Sequence, residues 1–213
     1  MADFEKCSLA LQKGQAKEVV SLVQEAIDEG IEAKIILEEG LMSGMSIIGV
    51  KFKNNEVFVP EVLIAARAMN MGAALLKPLL MEAGVKAKGK AILGTVKGDL
   101  HDIGKNLVRM MMEGKGIEVI DVGTDVAPEK YIASAKAENA NLICCSALLT
   151  TTMTQMEAVV KGFVEEGMRD DVTIMIGGAP VTQNYCDSIG ADIYSPDAAT
   201  AAEVASDFFD KSA

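Results

Sequence analysis

The stretch Ala91-Ile-Leu-Gly-Thr-Val-Lys-Gly-Asp-Leu-His-Asp-Ile-Gly104 decides how the chain is read. Ala91–Val96 is a short, β-rich, mostly apolar run, as expected of a strand buried on both faces. Lys97-Gly98-Asp99-Leu100-His101-Asp102-Ile103-Gly104 then forms a glycine-bounded loop that opens onto the amphipathic stretch Gly104–Glu113. Strand, loop and helix recur downstream. Further β-rich runs are Glu118–Val122, Leu142–Leu148, Val172–Ile176 and Asp192–Tyr194, and helix-length stretches lie around Pro128–Glu138, Thr152–Glu166, Val181–Ser188 and Ala198–Phe209. This alternation predicts an α/β fold with a doubly wound, parallel, five-stranded sheet. Such sheets bind ligands beyond the carboxyl ends of their strands. Three loops should therefore converge on one edge: the one holding His101, the one holding Ser146-Ala147-Leu148 and Thr150, Thr151 and Thr152, and Gly177-Gly178-Ala179-Pro180.

Upstream the rhythm differs. From Phe4 to about Ala83, apolar residues such as Leu9, Val19, Val23, Ile27, Ile36, Leu41, Met45 and Ile48 fall mostly at three- and four-residue steps. Pro60 suits the first turn of a helix through Glu61–Met71. This half predicts a four- or five-helix bundle over residues 1–86, joined by the polar hinge Glu82–Lys90 to a sheet domain over 87–213.

Composition excludes several classes. Among 213 residues, Lys and Arg total 20 against 31 Asp and Glu, a net charge of −11. That argues against nucleic acid or an anionic membrane as partner, because both need a positive field. The N-terminus lacks a basic segment followed by an apolar one, and no run approaches 18 apolar residues, so neither a signal peptide nor a membrane span is expected. Cys7, Cys144, Cys145 and Cys186 contain no C-x-x-C pair, which suits buried, reduced thiols in a cytoplasmic protein. The single His excludes centres built from several imidazoles.

Asp99 precedes His101 by two residues, close enough for its carboxylate to accept an imidazole N–H, fix the tautomer and raise the basicity of the other nitrogen. That is the arrangement behind many metal-bound imidazoles, and a surface His beside a helix start fits the same residues. Asp102 offers a second carboxylate or a helix cap. A hydrolytic Ser146–His101–Asp site lacks the G-x-S-x-G elbow. Gly98 to Gly104-Lys105 departs from a phosphate loop in spacing, and Asn106 stands where such loops carry Ser or Thr. Gly177-Gly178 is either a tight turn or room for a large ligand against the backbone.

Asp99-x-His101-x-x-Gly104, 41 residues, Ser146-x-Leu148, 28 residues and Gly177-Gly178 together resemble the cobalamin-binding fingerprint of methionine synthase and the small corrinoid proteins of methyltransferase systems. The stretch Gly44-Met45 through Phe58-Val59-Pro60-Glu61-Val62 to Met69 resembles that family's helical cap. The resemblance implies a helical cap followed by a Rossmann-like, flavodoxin-like domain.

It also implies roles. His101 would be the lower axial ligand of cobalt in a base-off/His-on cobamide, with Asp99 on its distal nitrogen. Thr152 would extend the chain at a position that is commonly Ser. Gly98, Asp102, Ile103, Gly104 and Thr150 belong to the same cofactor-facing loops. Ser146 would hydrogen-bond the displaced lower base, Leu148 would line its slot, and Gly177, Gly178 and Ala179 would make space. Tyr194, Ser195, Asp197 and Ala198 would close the far end. Phe58, Leu63 and Met69 are candidates for an apolar lid, although the five methionines of this half after the first residue suit ordinary core filling equally well.

The family's activity implies a methyl carrier that is non-catalytic alone. It would accept a methyl group on cob(I)alamin or a related cobamide from a substrate-specific methyltransferase, giving methylcobalamin. A second methyltransferase would then deliver the group to a thiol or tetrahydrofolate, and an ATP-dependent reductive activator would rescue oxidised cobalt. The cobalamin-binding subunit of an adenosylcobalamin-dependent mutase uses the same module, but the helical cap argues against it. A cobalamin-based sensor would need an output module for which the length leaves little room.

Overall fold

The computed structural model describes residues 3–212. The chain forms two compact units. One is helical, runs through Ala87 and takes in Gly114–Gly116, and the other comprises Lys88–Glu113 and the chain from Ile117 onward.

The helical unit begins with α1 (Phe4–Gln12), whose first turn is capped by Asp3 through an Oδ1 that accepts the Lys6 N–H at 2.9 Å. Next come α2 (Ala16–Asp28) and α3 (Ala33–Ile35), which continues through a π-helical stretch, Ile36–Met42, into α4 (Ser43–Lys53). The last helix is α5 (Val59–Glu82). Pro60 sits in its first turn, where no N–H is needed, and the Glu61 carboxylate accepts the Phe58 N–H at 3.0 Å. The sequence pattern suggests an end near Met71, yet α5 runs eleven residues further, through Pro78. Its buried face explains the extension, because Val62, Ala65, Ala66, Met69, Gly72 and Leu76 form one continuous stripe. Gly72 permits close packing, since a Cβ there would lie 3.0 Å from Val19 and 3.1 Å from Leu41. Among the described residues α5 alone has the length and mean hydropathy (1.3) of a membrane span, but this stripe packs against α1, α2 and α4 as a core helix does.

The sheet unit contains β1 (Lys90–Val96), β2 (Glu118–Val126), β3 (Leu142–Ser146), β4 (Thr173–Gly177) and β5 (Ile193–Ser195). All pairs are parallel, in the order β2-β1-β3-β4-β5. Helices α6 (Ile103–Glu113), α7 (Pro128–Glu138), α8 (Thr154–Glu165), α9 (Gln183–Ile189) and α10 (Ala198–Ser212) alternate with the strands. Ile92, Ile143, Ile174 and Ile176 of the sheet pack with Tyr131 of α7 and Phe163 of α8 in the core. The chain leaves β1 toward β2 on one side and returns as β3 on the other. The topological switch therefore lies at the carboxyl ends of β1 and β3, where doubly wound sheets place their ligands.

Two strand ends differ from the sequence pattern by more than one residue. β3 stops at Ser146, short of Leu148, because the Leu148 and Leu149 N–H groups turn away from the ladder toward the Asp99 carboxylate. β2 continues past Val122 to Val126, although Gly123-Thr124-Asp125 reads as a turn. Left-handed residues Gly123 (φ 97°) and Asp125 (φ 54°), with register shifts opposite Leu93, Gly94 and Val96, keep it paired.

Candidate cofactor-binding site

Register builds the site. Thr95 of β1 pairs with Ser146 of β3, Ser146 with Gly177 of β4, and Gly177 with Ser195 of β5, so the carboxyl ends of four strands form one row. The three predicted loops leave from this row.

Asp99 is wholly buried at the centre. Its Oδ1 accepts the His101 backbone N–H at 3.1 Å and lies 2.7 Å from His101 Nδ1. Oδ2 accepts from the Leu148 N–H at 2.8 Å, the Leu149 N–H at 3.3 Å and Thr152 Oγ1 at 2.8 Å. Burial pushes the Asp99 carboxyl up, but the hydrogen bonds from Leu148, His101 and Thr152 outweigh it and hold the group well below the usual carboxylate range. A carboxylate is an acceptor only, so in the neutral imidazole the proton belongs on the Nδ1 that faces it and the lone pair on Nε2. With the ring 52% exposed, that lone pair is open to a ligand. The Thr95 hydroxyl, fully buried, donates to the His101 carbonyl at 2.9 Å and pins the loop from below.

Thr152 is buried, and the methyl that distinguishes it from Ser has room: a Cβ on Gly98 would lie 3.6 Å from Thr152 Cγ2, an ordinary contact. Around His101, the side chains of Leu100 (73%) and Ile103 (72%) are exposed, as are those of Leu148 (44%) and Leu149 (42%). A neighbouring set of exposed apolar groups marks a binding surface, here one suited to a broad apolar ligand. Gly104 and Thr150 lie in the same loops, Gly104 with open space where a Cβ would be. Asp102 instead serves α6, its carboxylate accepting from Asn106 at 3.1 Å.

The other end of the row combines an unpartnered hydroxyl with closely packed glycines. Ser195 Oγ is buried and has no hydrogen-bond partner, an unusual condition for a hydroxyl. Beside it, a Cβ on Gly177 would come within 3.0 Å of the Ser195 carbonyl oxygen. Gly178 adopts φ 138°, closed to side-chain-bearing residues, and its neighbour Ala179 is exposed. Ser146 and Tyr194 are half-buried and Ala198 is buried, while the Asp197 carboxylate caps α10 by accepting from the Thr200 N–H and hydroxyl, both at 2.8 Å. In the helical unit Phe58 and Leu63 are exposed, whereas Met69 is 5% exposed and packs within that unit's core.

Lys105, next to the loop, does not face a phosphate. It is 3% exposed and hydrogen-bonded to Asp121 of β2, which Arg109 also reaches at 3.3 Å. Burial pushes the Asp121 carboxyl up, but the Lys105 hydrogen bond leads a set of interactions that bring it below the ordinary value. Lys105→Met is expected to cost about 2 kcal/mol in denaturant unfolding, because it leaves the half-buried carboxylate with only Arg109 and the Gly123 N–H. The double variant Lys105→Met/Asp121→Leu should recover most of that loss.

Sequence reasoning missed Thr95, Leu149 and Asp125 as parts of this site. A lone hydroxyl at the end of an apolar strand was the one signal for Thr95. The Leu149 contribution is a backbone N–H, which residue type does not announce. Among the described residues no three His, Cys, Asp or Glu side chains gather as a metal cage, so His101 can supply one ligand only.

The geometry thus offers one oriented imidazole, an exposed apolar surround and, along the same row of strand ends, an unpartnered buried hydroxyl, which fits a metal macrocycle with a polar tail. Comparison with known proteins agrees. Residues 89–205 match the model of a B12 binding domain, and residues 4–77 match a second B12 binding domain model. A corrinoid protein of Desulfitobacterium hafniense is 37% identical over 214 residues, 99% of each chain. A dimethylamine corrinoid protein of Methanosarcina barkeri is 45% identical over 184 residues, 86% of each. The methanol:cobalamin methyltransferase complex of Methanosarcina barkeri contains a chain that superposes with a TM-score of 0.86 at 29% identity, covering 97% of this chain and 79% of that one. With both of its units matched, this chain belongs to the B12-binding corrinoid protein family of methyltransferase systems, and its cofactor is cobalamin or a related corrinoid.

Proposed function

We propose that this chain is the methyl carrier of such a system, holding its cobamide base-off with His101 as the lower axial ligand. The observation that carries the reading is the Asp99-oriented imidazole, whose exposed Nε2 is free to bind a metal while Nδ1 is committed to a buried carboxylate. When bound, the corrinoid supplies a cobalt centre able to take up and release a methyl group. The chain's own residues bind, orient and tune. Asp99 makes the imidazole a better donor, and Thr152 and the Leu148 N–H keep that carboxylate ionised. His101 Nε2 would be the atom that holds the metal, and the same lone pair would be the one open to a proton, so ligation and protonation would compete for one atom. Gly177, Gly178, Ser146 and the Ser195 hydroxyl are the groups this reading assigns to the displaced nucleotide tail.

The partners in this reading are a substrate-specific methyltransferase, a second methyltransferase with a thiol or tetrahydrofolate acceptor, and an ATP-dependent reductive activator. Four buried free thiols support a reducing, cytoplasmic setting; burial pushes Cys7 up to about 11 and Cys145 to about 12, which keeps both unreactive. The test is His101→Ala. The variant should still bind cobalamin through the tail slot, about tenfold more weakly or worse, and should lose the absorption spectrum of the imidazole-ligated form. An unchanged spectrum would remove His101 as the ligand.

A further inference from the structure

We propose that Asp125, at the far end of β2, is a positioning residue for the axial-ligand loop. The proposal rests on the reading of His101 as ligand and adds a group that holds the loop from outside the Asp99–His101–Thr152 chain. Asp125 Oδ1 accepts the Gly98 N–H at 2.7 Å, and the Asp125 N–H donates to the Asp99 carbonyl at 3.0 Å. The two bonds grip both ends of the Gly98-Asp99 dipeptide. The Asp99 N–H is tied in turn to the Val96 carbonyl at 3.1 Å. Together they set where the Asp99 carboxylate starts, and hence where the imidazole it holds is aimed.

The strand is built to deliver this residue. β2 has nine residues against seven in β1, and the register shifts absorb the difference, bringing Asp125 alongside the loop beyond Val96. Its own φ of 54° is a left-handed value that side-chain-bearing residues rarely adopt, Asn and Asp being the most tolerant. Unusual backbone held at the rim of a binding site calls for a functional account. Asp125 is exposed and absent from the core, so filling the interior does not account for it. Gly98 is left-handed too (φ 82°), so two unusual residues on adjacent segments meet at the 2.7 Å bond.

Two substitutions separate the hydrogen bond from the backbone conformation. Asp125→Gly accepts the left-handed backbone and removes the acceptor, whereas Asp125→Asn keeps both acceptor and tolerance. The full chain, labelled with ¹⁵N-histidine and loaded with cob(II)alamin, gives an electron paramagnetic resonance spectrum whose nitrogen splitting reports His101 alone, since the chain has one His. Wild type and Asp125→Asn should show the ¹⁵N splitting in most bound molecules. In Asp125→Gly most of that splitting should vanish and cobalamin should bind roughly tenfold more weakly, the equivalent of one lost hydrogen bond. In the cofactor-free protein, Gly98 amide exchange should be roughly tenfold faster in Asp125→Gly and near wild type in Asp125→Asn. Wild-type splitting, affinity and Gly98 exchange in Asp125→Gly would overturn the proposal, as would an Asn variant that behaves like the Gly one. Absence of ¹⁵N splitting in the wild type would instead overturn the axial-ligand reading, and Gly98 exchange would still decide whether Asp125 holds the loop.

Discussion

Replacing Asp99 with Ala is expected to cost about 3–5 kcal/mol of stability and to abolish measurable imidazole ligation of the cofactor. The Asp99 carboxylate is wholly buried and takes hydrogen bonds from the His101 and Leu148 N–H groups, His101 Nδ1 and Thr152, with Leu149 slightly longer. Ala removes the acceptor and strands those donors. Each buried donor left unmade costs roughly 1–3 kcal/mol, and not all of them can find water, which sets the range. For a chain of this size the change corresponds to a drop of about 10 °C in melting temperature. Asp99→Asn should be milder yet distinctive, because its amide brings an N–H toward donors that need an oxygen and leaves the imidazole tautomer unfixed. The pH dependence separates the two roles. Asp99 is held below its ordinary value of 3.8, so its contribution is complete above that value and is lost as pH falls toward the folded-state one. The melting-temperature gap between wild type and Asp99→Asn should be widest near neutrality and narrow below about pH 4. A gap independent of pH would mean that the ionised carboxylate is not what stabilises the loop.

Much of this was legible in the sequence for a physical reason. The near-continuous apolar runs and the helix-length stretches between them follow from burial on both sheet faces, so the strand order of events along the chain can be read from hydrophobicity alone. The site residues Asp99, His101, Ser146 and Gly177 were legible because each is a chemically distinctive residue at or just past the carboxyl end of an apolar strand. What stayed hidden depends on backbone. The end of β3 at Ser146 is set by two N–H groups that prefer a carboxylate to the ladder, and the extension of β2 rests on left-handed Gly123 and Asp125, residues that in isolation signal a turn. Met69 shows the same limit in the helical unit. Its type suits both a lid and a core, and only its 5% exposure shows which environment it occupies. Lys105 belongs here as well, since a lysine beside glycines suggests an anion until Asp121 is seen against it.

Gly178→Ala should be the most damaging single methyl group in the sheet unit. Its Cβ would fall 1.8 Å from the Ala147 carbonyl oxygen and 2.9 Å from the Ala147 carbonyl carbon, in a backbone conformation (φ 138°) that side-chain-bearing residues avoid. Steric overpacking and forced backbone strain each cost roughly 1–3 kcal/mol, so a loss of about 3 kcal/mol, or 6–12 °C in melting temperature, is expected. The consequence at the site is greater than the loss of space. The Ala147 carbonyl and the Leu148 N–H belong to one planar peptide unit, and that N–H donates to Asp99 Oδ2 at 2.8 Å. Pushing the oxygen turns the N–H with it, so a methyl on β4's loop loosens the carboxylate that orients His101. Gly177→Ala meets only the Ser195 carbonyl, at 3.0 Å, and has no direct path to Asp99. In the proposed tail site both variants should weaken cobalamin binding, but Gly178→Ala alone should also reduce the fraction of bound cob(II)alamin that carries the His101 nitrogen splitting. Equal splitting in the two variants would break the link between the glycine loop and the orientation of His101.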